Sequence, residues 1–145
     1  MHTWGRGHIE SGEYLHEMWI RLTVDAELTV MDIQATTDHA PYPNCPNFPD
    51  RFGKLVGARI EPGWTAKVRM LLGGKWGCTH LVELLGPVAT TAVQTVYAWR
   101  AEEAKSNNMT PPNDFINSCH SLAEGSEVVE QLWPQHKAAT EEDED

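Results

Sequence analysis

The sequence predicts an α+β fold, a small antiparallel sheet packed against helices, and three observations carry that reading. Apolar residues alternate with polar ones between Leu15 and Val24, the two-residue period of a half-buried strand. From Trp64 onward the apolar residues recur at helical spacing. Between the two lies a stretch with Pro41, Pro43, Pro46 and Pro49, which suits neither a helix nor a central strand.

Taken in order, Met1 to Glu13 holds Gly5, Gly7 and Gly12 and reads as a flexible N-terminal arm, residues 1–13. The domain proper is predicted over residues 14–134. Its first strand places Met18, Ile20, Leu22 and Val24 on one face and Trp19, Arg21 and Thr23 on the other. Asp25-Ala26-Glu27 connects it to a second strand from Leu28 to about Ala35, which makes residues 15–35 an antiparallel hairpin. Within that second strand the apolar phase changes from Leu28 and Val30 to Met31, Ile33 and Ala35, so a bulge or cover on both faces is expected. The proline-rich stretch is then a loop carrying Cys45. Helices run from 63 onward: the first opens after Pro62-Gly63, uses Trp64, Val68, Leu71 and Leu72, and ends at Gly73-Gly74. The longest begins near Thr79, whose hydroxyl suits a cap, with a stripe of Leu81, Leu85, Val88, Ala92 and Val96 extending to about Arg100. Gly86-Pro87 interrupts that stripe, and an interior proline costs about 3 kcal/mol, which predicts a kink or a break into two helices. A short helix from Ser126 to Trp133 closes the domain before Pro134. Residues 135–145, ending in Glu141-Glu142-Asp143-Glu144-Asp145, read as a disordered acidic tail.

Composition narrows the function classes. The chain has 145 residues with 41% hydrophobic and 22% charged, ordinary values for a globular domain. Its formal charge is −10; without the five terminal acids, 16 acids still face 11 bases. That balance repels phosphate backbones, so nucleic acid is not expected as a partner. No apolar run reaches the ~20 residues needed to span a bilayer, so no membrane partner is expected. Met1 to Glu10 lacks signal-peptide character, which points to a cytoplasmic protein. Three cysteines cannot complete a disulfide framework and are expected to stay reduced there.

The chemistry concentrates at Cys78-Thr79-His80-Leu81-Val82-Glu83, where a thiol, an imidazole and a carboxylate fall within six residues at a helix start. The unpaired amides and dipole of that terminus favour a thiolate at Cys78. Cys78, His80 and Glu83 are therefore the candidate catalytic residues. No zinc-finger spacing is present, so a metal site would be assembled from separate loops: Cys45, Cys78, His80, Cys119 and His120, with His39 a further donor, suit zinc or iron. Six tryptophans exceed what a domain of this size needs, and Trp19 points away from the apolar face of its strand. Trp19 and Trp76, with Arg21 to hold a carboxylate, are the candidate substrate-binding residues.

Several of these segments together resemble the bacterial domain-of-unknown-function 2889 family. They are Met18-Trp19-Ile20-Arg21-Leu22-Thr23-Val24-Asp25, Gly63-Trp64 through Val68-Arg69 to Leu72-Gly73-Gly74, Gly77-Cys78-Thr79-His80-Leu81-Val82-Glu83-Leu84-Leu85, Ala89-Thr90-Thr91-Ala92 and Cys119-His120-Ser121-Leu122. The resemblance extends over about Tyr14 to Pro134 and places Cys45, Cys78, His80, Glu83, Cys119 and His120 at motif positions. Members of that family carry a longer N-terminal region with additional strands, so a family feature located there is expected to be missing here, and the resemblance implies no particular activity. A looser, topological similarity links the hairpin, the Cys-bearing loop and the Cys at a helix start to NifU-like iron-sulfur scaffolds, with no cysteine between Cys45 and Cys78 to complete that pattern.

Three functions follow from this reading. The first is a small cytoplasmic enzyme whose Cys/His/Glu site binds a transition metal or uses a reactive thiolate on a small molecule. The second is a cofactor-free lyase or isomerase acting on a small aromatic or apolar acid, with His80 and Glu83 moving protons. The third is a non-enzymatic dimeric adaptor whose tryptophans form an interface. A small-molecule ligand and a homo-oligomer are the expected partners.

Overall fold

The computed structural model describes residues 1–47, 49–110 and 112–136. It has the α+β arrangement expected: two antiparallel sheets of two strands each, with helices mainly from Trp64 onward. The chain divides into two compact units, Met1–Gln94 and Thr95–Asp145.

In the first unit, the alternating apolar segment forms β3 (Glu17–Val24), paired with β4 (Val30–His39). The bulge is present. Thr23 faces Asp32 while Val24 faces Val30, so Met31 is the extra residue, and this resets the apolar phase of β4. β4 also runs four residues past Ala35, because Thr36, Thr37 and His39 find partners in Trp19, Met18 and Glu17. The connection is an Asx turn: the Asp25 carboxylate accepts from the backbone N–H groups of Glu27 (2.9 Å) and Thr29 (2.8 Å). Those bonds favour its ionised form and hold the Asp25 pKa below its usual value. Residues 57–60 flank the start of β4, with Val30 N–H donating to Ala58 at 2.9 Å.

The glycine-rich start is not loose. His2–Thr3 (β1) and Gly7–His8 (β2) pair into a short hairpin, with Thr3 and Ile9 buried. Gly5 turns at φ 90°, and a Cβ there would lie 2.5 Å from the Pro43 ring, so only glycine lets this hairpin seat against the proline loop. That loop winds into two 3-10 segments, Cys45–Asn47 and Pro49–Leu55.

The helices are α1 (Trp64–Leu72) and α2 (Thr79–Ser106). Thr79 is the first helical residue; the cap position belongs to Cys78, whose carbonyl accepts from Val82 at 2.9 Å. α2 stays a single helix through Pro87 instead of breaking in two. Leu81, Leu85 and Ala89 are buried on both sides of the proline, and that burial outweighs the missing backbone bond. The core of the unit is continuous: Val30, Ile33 and Ala35 of β4, Phe52 and Leu55, Trp64, Val68 and Leu72 of α1, and Leu81, Val82, Leu85 and Ala89 of α2. Met18, Ile20, Leu22 and Val24 pack against it partly buried, whereas Trp19 is 62% exposed on the opposite face. Trp64 Nε1 donates to the Leu85 carbonyl at 3.1 Å, fastening α1 to α2.

In the second unit, Tyr97, in the C-terminal half of α2, packs at a tilt against Phe115 with ring centroids 4.0 Å apart and lies 6.4 Å from Trp133. Its hydroxyl donates to the Pro112 carbonyl at 3.0 Å, and burial, with Asp114 nearby, raises the phenol pKa. α3 (Glu127–Leu132) starts where the Ser126 hydroxyl accepts from Val129 N–H and ends ahead of Pro134. Gln135 and His136 form a 3-10 turn with Pro134; the remainder of the predicted tail, 137–145, lies outside the described residues.

Candidate functional site

The side chains with chemistry meet at a cleft of about 410 Å³ in the first unit, lined by Met1, His2, Thr3, Trp4, Leu15, His16, Pro41, Tyr42, Cys45 and His80. Each wall has a local cause. β1 supplies one side, held by a clamp centred on His39, the last residue of β4. His39 Nε2 lies 3.4 Å from the Glu17 carboxylate and Nδ1 lies 3.3 Å from an Arg6 guanidinium nitrogen, while Arg6 also donates to the Tyr14 carbonyl at 2.6 Å. A guanidinium can only donate, so this geometry assigns His39 the neutral tautomer with its proton on Nε2. The proline loop brings Tyr42 and Cys45, and the start of α2 brings His80.

Two imidazoles form the floor. His16 and His80 pack ring against ring with centroids 4.2 Å apart. His16 Nδ1 is buried and has no hydrogen-bond partner among the described residues. Burial lowers the His16 pKa, and the neighbouring His80 lowers it further, so the His16 ring is neutral at neutral pH. His80 is solvent-exposed on its cleft side, and its Nδ1 lies 3.7 Å from Cys78 Sγ. A Cys78 thiol donating to Nδ1 leaves the His80 proton on Nε2. Cys78 itself is buried and does not line the cleft.

The other predicted site residues are distributed elsewhere. Glu83 is exposed and faces Arg69 at 3.8 Å, along a groove beside Gly73 and Gly77. Trp19 and Arg21 sit on the outer face of β3. The Trp76 ring carries the Arg51 guanidinium 3.9 Å above its centroid, with Lys75 Nζ at 4.7 Å. Cys45 shares the cleft with His80, whereas Cys119, exposed, and His120 belong to the second unit. Among the described residues no group of three or more His, Cys, Asp or Glu side chains is placed to hold a metal ion.

Sequence reasoning missed His16, Trp4 and Tyr42. For His16 a signal existed: it continues the inward parity of Met18, Ile20 and Leu22, and an imidazole in a register otherwise apolar marks a buried polar group.

Comparison with known proteins adds a boundary. The model of the family described as a protein of unknown function, DUF2889, matches residues 1–94. The match takes in the N-terminal hairpin and every residue of the cleft, ends where the first unit ends, and leaves Cys119-His120-Ser121-Leu122 outside. No curated protein and no solved structure matches the chain. No helix is long and apolar enough to cross a membrane among the described residues.

Proposed function

The chain belongs to the DUF2889 family, and from the geometry of the cleft we propose that it is an enzyme moving a proton on a small aromatic or apolar acid. His80 is the transferring group, Cys78 is its positioning partner, and His16 is a neutral imidazole packed behind it. The observation that carries this reading is the 4.2 Å imidazole pair on a cleft whose lining, among the described residues, holds no Asp or Glu, in a chain with 21 acidic residues. Trp4, Tyr42, Leu15 and Pro41 suit the apolar body of such a ligand. Imidazole N–H groups suit its carboxylate. His80 is exposed enough to meet a substrate, and a neutral imidazole offers one donor and one acceptor nitrogen with which to pass a proton. Glu83, turned toward Arg69, has no part in this scheme.

A transition-metal or thiolate reading draws on Cys45, Cys78 and His80, and Cys45 lining the same cleft favours it. We rank it second because no three ligands surround one point among the described residues. Metal analysis of the purified full chain separates the two: one equivalent of zinc or iron replaces the proton-transfer reading with the metal one.

The direct test is a titration of the imidazole NMR resonances with benzoate, cinnamate and hexanoate, followed by a turnover assay on whichever acid binds. The expected result is perturbation of both His16 and His80 by at least one acid, with His80→Gln lowering turnover about 100-fold or more. If none of the acids moves either ring, or if His80→Gln turns over at the wild-type rate, the proposal is wrong.

A further inference from the structure

Away from the cleft, the outer edge of β3 is unpaired. β3 and β4 make a two-stranded sheet, so each is an edge, and β4 has part of its outer side engaged by residues 57–60. Among the described residues, Glu17–Val24 makes no backbone hydrogen bond beyond its ladder to β4. This edge is eight residues long and contains neither Pro nor Gly, a template that natural proteins pair, cover or blunt.

The side chains along it are complementary to themselves. Glu17, Trp19, Arg21 and Thr23 share the outer face; Met18, Ile20, Leu22 and Val24 share the inner one. Arg21 is exposed and has no ion-pair partner among the described residues. We propose that a second copy of this chain pairs antiparallel along β3, about a two-fold axis through Trp19, to give a four-stranded sheet. In that register Glu17 faces Arg21 of the second copy, and Arg21 faces its Glu17. The two Trp19 rings meet on the outer face, and Met18 meets Ile20 on the inner face.

Charge and parity select this register from its neighbours. A shift of one residue sets the inner face of one copy beside the outer face of the other. An axis through Ile20 sets Glu17 opposite Thr23 and Arg21 opposite Trp19. With the axis through Arg21, that residue faces its own copy, like charge against like. An axis through Met18 sets Glu17 opposite Trp19. Only the axis through Trp19 joins both charges, and a closed isologous pair leaves no β3 edge for further growth. The pairing does not use the His16–His80 pair, but it shares Glu17 with the cleft wall, where the same carboxylate lies 3.4 Å from His39.

Sedimentation equilibrium of the full chain over roughly 1 to 300 μM tests this. The expected result is a monomer–dimer equilibrium that Arg21→Glu weakens about 10-fold or more, because it sets Glu against Glu twice. Arg21→Gln weakens it less, in the same direction. The double exchange Glu17→Lys with Arg21→Glu restores affinity to within about threefold of wild type, since the pairs reform with their signs reversed. A chain that stays monomeric throughout overturns the proposal. So does a dimer indifferent to Arg21→Glu, or one that the double exchange leaves dissociated.

Discussion

The two units of this chain are built on different terms. In Met1–Gln94, one apolar cluster joins strand, 3-10 turn and two helices, from Val30 to Ala89, with 10 acidic residues against 8 basic ones. In Thr95–Asp145 the fully buried side chains among the described residues are Val129 and Trp133, supported by Tyr97 and Phe115, and 11 acidic residues stand against 3 basic. The family match covers the first unit and stops at its boundary. A core that links segments far apart in sequence can hold side chains from β1, the strand start, the proline loop and α2 around one cleft. A small aromatic cluster on one helix end has no such reach, and Cys119 and His120 belong to that second unit.

The contrast can be broken first at Trp133. Replacing it by Ala removes the largest fully buried side chain of the second unit and is expected to cost about 3–5 kcal/mol there. Urea unfolding followed by hydrogen exchange should find protection lost around Tyr97 and α3 while the β3–β4 amides keep theirs. Equal loss in both units would mean that they share one cooperative core. Leu85→Ala is the reciprocal change. It opens a cavity in the core between α1 and α2, costs about 2–5 kcal/mol, and should remove protection from β4 while leaving Tyr97 and α3 protected. Smaller and opposite in sign is Pro87→Ala, which returns an N–H to the helix interior. It is expected to raise stability by about 1–3 kcal/mol without moving the cleft, a thermal-melt measurement; no gain would mean that the helix is relieved of the proline's cost by other bonds.

Acidification gives the last contrast, and its sign follows from His16. Burial and His80 depress its folded-state pKa below the unfolded value of 6.5, so the unfolded chain binds the extra proton first. This contribution to stability is whole above pH 6.5 and is lost as the pH falls below it. Melting temperatures between pH 7.5 and 5 should fall less in His16→Phe than in wild type; parallel curves would remove His16 from the account.

The sequence was most legible where structure is local. Alternation along Met18 to Val24 and helical spacing from Trp64 to Leu72 each report their own element, and the phase change at Met31 reported the bulge. Three features resisted for a common reason, that distant contacts decide them. The glycines at 5, 7 and 12 read as a loop until Gly5 is seen against Pro43. Pro87 reads as a break until the burial of Leu85 and Ala89 is known. Half of the candidate site was anticipated in the same sense: Cys78, His80 and Cys45 were visible as residue types, but which of them share a cleft depended on the path of the proline loop. His16 gave only its parity.

A neutral His16 is held against His80 in the first unit, and a pH titration of the His16 imidazole by NMR examines that pairing most directly. The geometry predicts a midpoint below 6.5 that rises toward 6.5 in His80→Gln, because the like charge that opposes protonation is gone. A midpoint at or above 6.5, unchanged by His80→Gln, would contradict the pairing of the two rings and the chemistry built on it.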